Sequence, residues 1–260
     1  MLMYSPTINA LGHLRTESEQ YPSVANNYKG LCFVTATTGD HFREILFYLE
    51  THFKYYPCMP LYVYDLGELS KHQRQTLEQI KYVKVLTYNG KGRPVLERNN
   101  KVFKAIMMMQ FIEAYGQHHQ CRVFFYGDTS IRFTEKKFDD KLFEELKLNG
   151  IVASRHLNDT KKSQIAFTHP RMYDFFGVDR EASYKEGIAT KNPLLQIQSG
   201  LMMVDTLNET MKKFFFAKWE NCALIPECIH NGTVSGDGLR FLRFHPFLLK
   251  DGTPIYRLLL

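Results

Sequence analysis

In the stretch CRVFFYGDTSIRF, residues 121–133, an apolar run ends on Gly127, Asp128, Thr129 and Ser130 before apolar residues resume. An acid that closes a buried strand must be capped, paired or used, because a desolvated carboxylate without a partner is costly. Presented at the carboxyl end of a parallel strand, Asp128 can hold a divalent cation or accept from a ribose hydroxyl. Ser130 adds a hydroxyl two residues on, although a serine in such a place also satisfies backbone groups. Other chemistries lack their motifs. There is no GxGxxG for a dinucleotide and no GxSxG for a serine nucleophile, and zinc finds only the isolated His118–His119 pair.

The elements that would position Asp128 alternate in type. Leu31 to Val34 is a short apolar run bounded by hydroxyl residues and Gly39, as expected of a strand covered on both faces. It runs into Thr35, Ala36 and Thr37. Asp40 offers an N-cap to a helix in which Phe42, Ile45, Leu46, Leu49 and Phe53 recur at helical spacing. PLYVYDLG is a second strand, SKHQRQTLEQI a helix capped by Ser70, and YVKVLTY a third strand. NNKVFKAIMMMQFIEAYG is a helix ending at Gly116, and the opening stretch is the fourth strand. This alternation implies parallel pairing with right-handed crossovers and helices on both faces, with ligands outside the carboxyl ends of the strands.

The second half is less regular. FDDKLFEELKLNG predicts a helix closed by Gly150, IVASR a strand, HPRMYDFFG a helical turn, and LQIQSGLMMVD a strand interrupted by Gly200. NETMKKFFFAKWENCAL predicts an amphipathic helix carrying Trp219. Residues 1–28 are polar, contain Pro6 and Pro22, and read as an irregular lead-in to one domain over 29–260.

Composition narrows the function classes. The chain has 260 residues, 44% hydrophobic and 14% aromatic, which suits one folded α/β domain. Its formal charge is +6, but 33 Lys and Arg are scattered among 27 acids, so nucleic acid is not favoured and a small anion such as a nucleoside diphosphate is. No stretch approaches the roughly 20 apolar residues of a membrane span, and the opening residues lack the apolar core of a signal peptide. Sequons at Asn158, Asn208 and Asn231 nevertheless suit a lumenal chain. Of five Cys, Cys222 and Cys228 are spaced to bridge a small loop, while Cys32 and Cys121 read as buried thiols.

The order FVTATTGDHF, LYVYDLG, KVFKAIMMMQFIEAYG, VFFYGDTSIRF, GIVAS, THPRMYDFFG and QIQSGLMMVD resembles the GT-A glycosyltransferase fold over residues 29 to 230. More narrowly it resembles an uncharacterised, nematode-expanded family of glycosyltransferase-like domains, transferases of nucleotide-diphospho-sugars. The resemblance implies a GT-A-like (Rossmann-like) α/β fold with a mixed, mostly parallel sheet and helices on both faces. It implies sugar transfer from a nucleoside diphosphate sugar, UDP-linked, to a hydroxyl on a glycan, protein or lipid, in the secretory pathway lumen or Golgi.

Carried over by position, the resemblance sets Thr35, Ala36 and Thr37 beside the nucleoside, Lys104 toward the diphosphate, and Gln198 and Ser199 near the sugar. Asp128, Ser130 and His245 would stand at a site for Mn²⁺ or Mg²⁺, which neutralises a diphosphate leaving group. Here Ser130 replaces the second acid of the family's Asp-x-Asp. Read on their own residues, Lys104 is a surface lysine and His245, beside Pro246, a packed or capping histidine. A general base, if the reaction inverts, stays open among Asp174, Asp179, Asp205 and Asp237. Asp128→Ala is expected to cost little stability, as for an acid kept for ligand contact. The rival readings are an inactive sugar- or nucleotide-binding module of the same fold and, third, a nucleotidyltransferase, which lacks here its Gly-rich loop with a nearby base.

Overall fold

The structure is a computed structural model that describes residues 30–91, 103–116, 121–135, 138, 140–155, 197–225, 247–248 and 254–255. The lead-in, the HPRMYDFFG segment, Asn158, Asn231, Cys228 and His245 lie outside the described residues. The alternating pattern folds as β1 (Leu31–Thr37), α1 (Phe42–Tyr55), β2 (Leu61–Asp65), α2 (Lys71–Glu78), β3 (Val83–Thr87), α3 (Phe103–Tyr115) and β4 (Val123–Gly127). There follow α4 (Asp140–Asn149), β5 (Ile151–Arg155) and β6 (Ile197–Asp205). The strands form one six-stranded sheet in the order β3-β2-β1-β4-β6-β5. The first four are parallel, while β6 runs antiparallel to both β4 and β5.

Strand residues alternate between two cores because successive side chains point to opposite faces. Cys32, Val34, Phe124 and Tyr126 pack with α3 on one face, and Leu31, Phe33 and Phe125 pack with α1 on the other. The first core also takes Met211, Phe215, Phe216 and Trp219 from a helical run after β6. This run is α5 (Glu209–Met211), a π-helical stretch Lys212–Phe216, and α6 (Ala217–Leu224). The expected amphipathic helix is therefore continuous but locally wider, which buries Phe215 and Phe216 together and leaves Phe214 exposed.

Three local expectations are corrected. Asp40 does not cap α1, whose N-cap is His41 without a side-chain bond; the Asp40 carboxylate instead accepts from Thr38 Oγ1. Gly200 does not interrupt β6, which runs through it. Cys32 and Cys121 are joined in a disulfide that ties β1 to the residues leading into β4. Cys222 is also disulfide-bonded. Ser70 does cap α2, with a reciprocal bond from Gln73, and Asn208 caps α5 by accepting from Met211 N at 2.9 Å.

His52, fully buried on α1 among Phe33, Phe53 and Phe133, gives the fold a pH signature. Burial pushes its imidazole down to about 3, against a smaller opposing effect of the Met59 carbonyl. The folded chain therefore keeps His52 neutral where the unfolded chain, near pH 6.5, takes up a proton. That contribution is complete above about pH 6.5 and is lost toward pH 3, at up to about 1.4 kcal/mol per pH unit. Urea unfolding from pH 7 to 4.5 should show the loss in the wild type and a shallower one in His52→Phe. Equal slopes would show that other groups carry it.

Candidate functional site

The sheet order reverses at β1. From β1 the chain goes outward to β2 and β3 on one side, then crosses back to place β4 on the other. Such a reversal opens a crevice outside the carboxyl ends of the two diverging strands. The residues there are Thr35 to Thr37 at the end of β1 with Thr38 after it, and Asp128 just past the end of β4. Because β6 is antiparallel, its amino end reaches the same edge: Leu201 pairs with Gly127, and Asp128 N donates to Gly200 O at 2.9 Å. Gln198 and Ser199, which precede Gly200 on β6, are thus brought to the Asp128 edge by the backbone.

Strand β4 stops because residues 128–131 form a turn, closed by Ile131 N donating to Asp128 O at 2.9 Å. Asp128 continues the alternation of β4 onto the α3 face. There Lys104 Nζ, on the first turn of α3, lies 2.7 and 2.8 Å from its two carboxylate oxygens. Lys104 is no surface lysine, since its side chain is 2% exposed while that of Asp128 is 31% exposed. The pair is buried on its cationic side and open on its anionic side. Tyr126, two residues earlier and so on the same face, donates to Asp128 Oδ1 at 2.5 Å, and its ring lies 5.3 Å from the Lys104 ammonium. Burial, and then the Asp128 charge, raise the Tyr126 phenol well above its usual range, so it stays a donor.

Close approach fixes the remaining wall. A Cβ on Gly200 would stand 2.7 Å from Asp128 Oδ2, so only glycine leaves the carboxylate room beside β6. On the opposite face Tyr48 from α1 reaches beneath Gly127, and its hydroxyl has no hydrogen-bond partner, nor has Thr35 Oγ1, both atoms being buried. Burial first, and then the Asp128 charge, raise the Tyr48 phenol too.

The other named residues divide. Thr37 is buried, with Oγ1 donating to Thr38 O at 3.3 Å, and Ala36 is half-buried. Thr129 turns toward α1, where its hydroxyl donates to Glu44 at 3.3 Å, while Ser130 is exposed on the turn. Asp205 lies at the far end of β6, pairing with Val123 and accepting from Leu207 N at 3.0 Å. It is at the opposite edge of the sheet from Asp128 and is removed as a candidate base; Asp174, Asp179 and Asp237 lie outside the described residues. Asp65, the acid closing β2, shows what a purely structural acid looks like: it accepts from Gly67 N and Leu69 N and pairs with Arg74.

The described residues do not fit a divalent cation at Asp128. Its carboxylate already receives Lys104 and Tyr126, and among the described residues no group of three His, Cys, Asp or Glu stands together. A dication about 4 Å from the ammonium would also be opposed by roughly 8 kcal/mol at a surface-like effective dielectric.

No protein-family model and no curated protein matches the chain. Solved structures with a similar fold are glycosyltransferases at low identity. The galactosyltransferase LgtC with donor and acceptor sugar analogs gives a TM-score of 0.48 at 11% identity, covering 76% of this chain and 66% of its own. The mannosyltransferase Ktr4p from S. cerevisiae with GDP gives 0.48 at 10%, covering 86% and 73%. Core-mannan synthase A (CmsA/Ktr4) from Aspergillus fumigatus, in an Mn/GDP form, gives 0.44 at 6%, covering 75% and 65%. The chain thus spans about two thirds of the length of these proteins. Its own strand order and directions make a mixed, mostly parallel α/β sheet with helices on both faces, the GT-A-like fold class expected from sequence.

The geometry reverses one stability expectation. Removing Asp128 takes the bridging carboxylate from an ammonium that has almost no access to water, so Asp128→Ala should cost about 3 kcal/mol in urea unfolding rather than little. The double variant Lys104→Met/Asp128→Asn, with neither charge left, should recover most of that. A single-variant loss below about 1 kcal/mol would show the pair to be weakly coupled.

Proposed function

We propose that this chain binds a nucleoside diphosphate sugar in the crevice between β1 and β4 and transfers the glycosyl group to an acceptor hydroxyl. The observation that carries the reading is Asp128, a partly exposed carboxylate at the strand-order reversal with a buried cation bonded to it. A lone carboxylate would repel a diphosphate; Lys104 cancels that charge and leaves Asp128 free to accept from sugar or ribose hydroxyls. Thr35, Ala36 and Thr37 border the nucleoside, the buried Thr35 and Thr37 through their backbone, and Gln198 and Ser199 border the transferred sugar. The transition state for transfer is oxocarbenium-like, so the protein's task is to hold the sugar and stabilise the departing diphosphate.

The finer parts of the reading are a UDP-linked donor, a glycan, protein or lipid acceptor, and membership of the nematode-expanded family of glycosyltransferase-like domains. A lumenal, Golgi setting belongs with them, supported by the buried Cys32–Cys121 disulfide, since disulfides persist in oxidising compartments. A second reading, a binding module without turnover, is favoured by the engagement of both Asp128 oxygens by Lys104.

A panel of UDP- and GDP-sugars, assayed for nucleotide release with and without acceptor, separates the two. Transferase action predicts release that falls at least tenfold in Asp128→Asn. Nucleotide binding with no release by the wild type would select the binding module. No binding of any nucleotide would end both.

A further inference from the structure

The Lys104–Asp128 pair carries an inference that rests on the reading above and goes beyond it. We propose that the Lys104 ammonium is the resident cation of this site, so that the chain binds its nucleotide ligand without a divalent metal. A metal ligand must offer lone pairs in directions a cation can share. At Asp128 the Lys104 ammonium bridges both oxygens at 2.7 and 2.8 Å, and Tyr126 donates to Oδ1. Oδ2 is closed in by Gly200, where even a methyl group would stand 2.7 Å away.

A metal entering would have to expel the ammonium, and Lys104 has little room to leave. It sits 2% exposed within an otherwise apolar stretch of α3, beside Ala105, Ile106 and Met108, all buried. An ammonium displaced there would give up the Asp128 carboxylate without gaining water, which is unfavourable for a buried lysine. The serine at position 130 agrees with this. In place of a second acid it presents a neutral hydroxyl on an exposed turn, so Asp128 is the one acid of residues 128–131, and it is paired with Lys104. What Asp128 then offers a ligand is one remaining hydrogen-bond acceptance from a hydroxyl, on Oδ2, the oxygen that Tyr126 does not engage.

The test has one arm that needs no nucleotide. Mn²⁺ alone is titrated into wild type, Asp128→Asn and Lys104→Met, and free Mn²⁺ is read by electron paramagnetic resonance. The proposal expects wild type and Asp128→Asn to bind Mn²⁺ indistinguishably and Lys104→Met to bind it more tightly than both, because only there is the Asp128 charge left unneutralised. It is overturned if wild-type Mn²⁺ affinity drops tenfold or more in Asp128→Asn. Should Lys104→Met fail to fold, judged by its thermal transition, the wild-type comparison with Asp128→Asn still decides. The second arm measures UDP and GDP binding by calorimetry in EDTA and in Mn²⁺. Affinities within threefold support the proposal, and binding seen only with Mn²⁺ overturns it. If neither nucleotide binds under either condition, the nucleotide-sugar reading fails, and the Mn²⁺ arm alone rules on the cation.

Discussion

The site depends on an ion pair with unequal exposure. Lys104 is enclosed and Asp128 is not, so the two halves do different things. Enclosure holds the ammonium as a fixed positive charge against Asp128, and partial exposure makes the carboxylate available to a ligand without leaving it uncompensated. Tyr126 completes the arrangement by holding one oxygen in place from the same strand. Each of the three comes from what the sheet does to side-chain direction: β4 sends Tyr126 and Asp128 to the α3 face, where the first turn of α3 presents Lys104.

Gly200 and the antiparallel course of β6 belong to the same constraint. The backbone of β6 pairs with the end of β4 and then passes the carboxylate at a distance that only a glycine allows. An amide from Asp128 to Gly200 O locks the turn to the strand. Reversing the strand also separates its two ends: Gln198 and Ser199 come to the Asp128 edge of the sheet, and Asp205 is carried to the other.

Much of this was legible from residue types. The strands and helices of the first half follow from apolar runs and 3.6-residue periods, and the strand-end acid was visible as a break in an apolar run. A helix lysine is exposed by default, yet the neighbours of Lys104 carry the contrary signal: KAIMMMQFI has no polar face for a lysine to occupy until Gln110. Tyr126 could have been found from the two-residue period that pairs it with Asp128. The disulfide between Cys32 and Cys121 could not, since it joins residues 89 apart whose proximity exists only once β4 is placed beside β1. The direction of β6 was equally hidden, because alternating patterns do not encode whether a strand runs with or against its neighbour.

That distant disulfide bears on the site through register. A shift of one residue between β1 and β4 would turn Asp128 from the α3 face to the α1 face, where Tyr48 and Phe133 pack, and would leave Lys104 without its partner. The pairing Cys32 with Phe124 and Val34 with Tyr126 sets the correct alignment, and Cys121, two residues before β4, is tied to Cys32 within it. On a loop-entropy account, closing a loop of this size lowers the freedom of the unfolded chain by about 4.5 kcal/mol. Besides adding stability, the link therefore excludes slipped alignments at one end of the strand pair. The other end is then free to be spent on a charged, ligand-facing arrangement that would not by itself hold two strands in line.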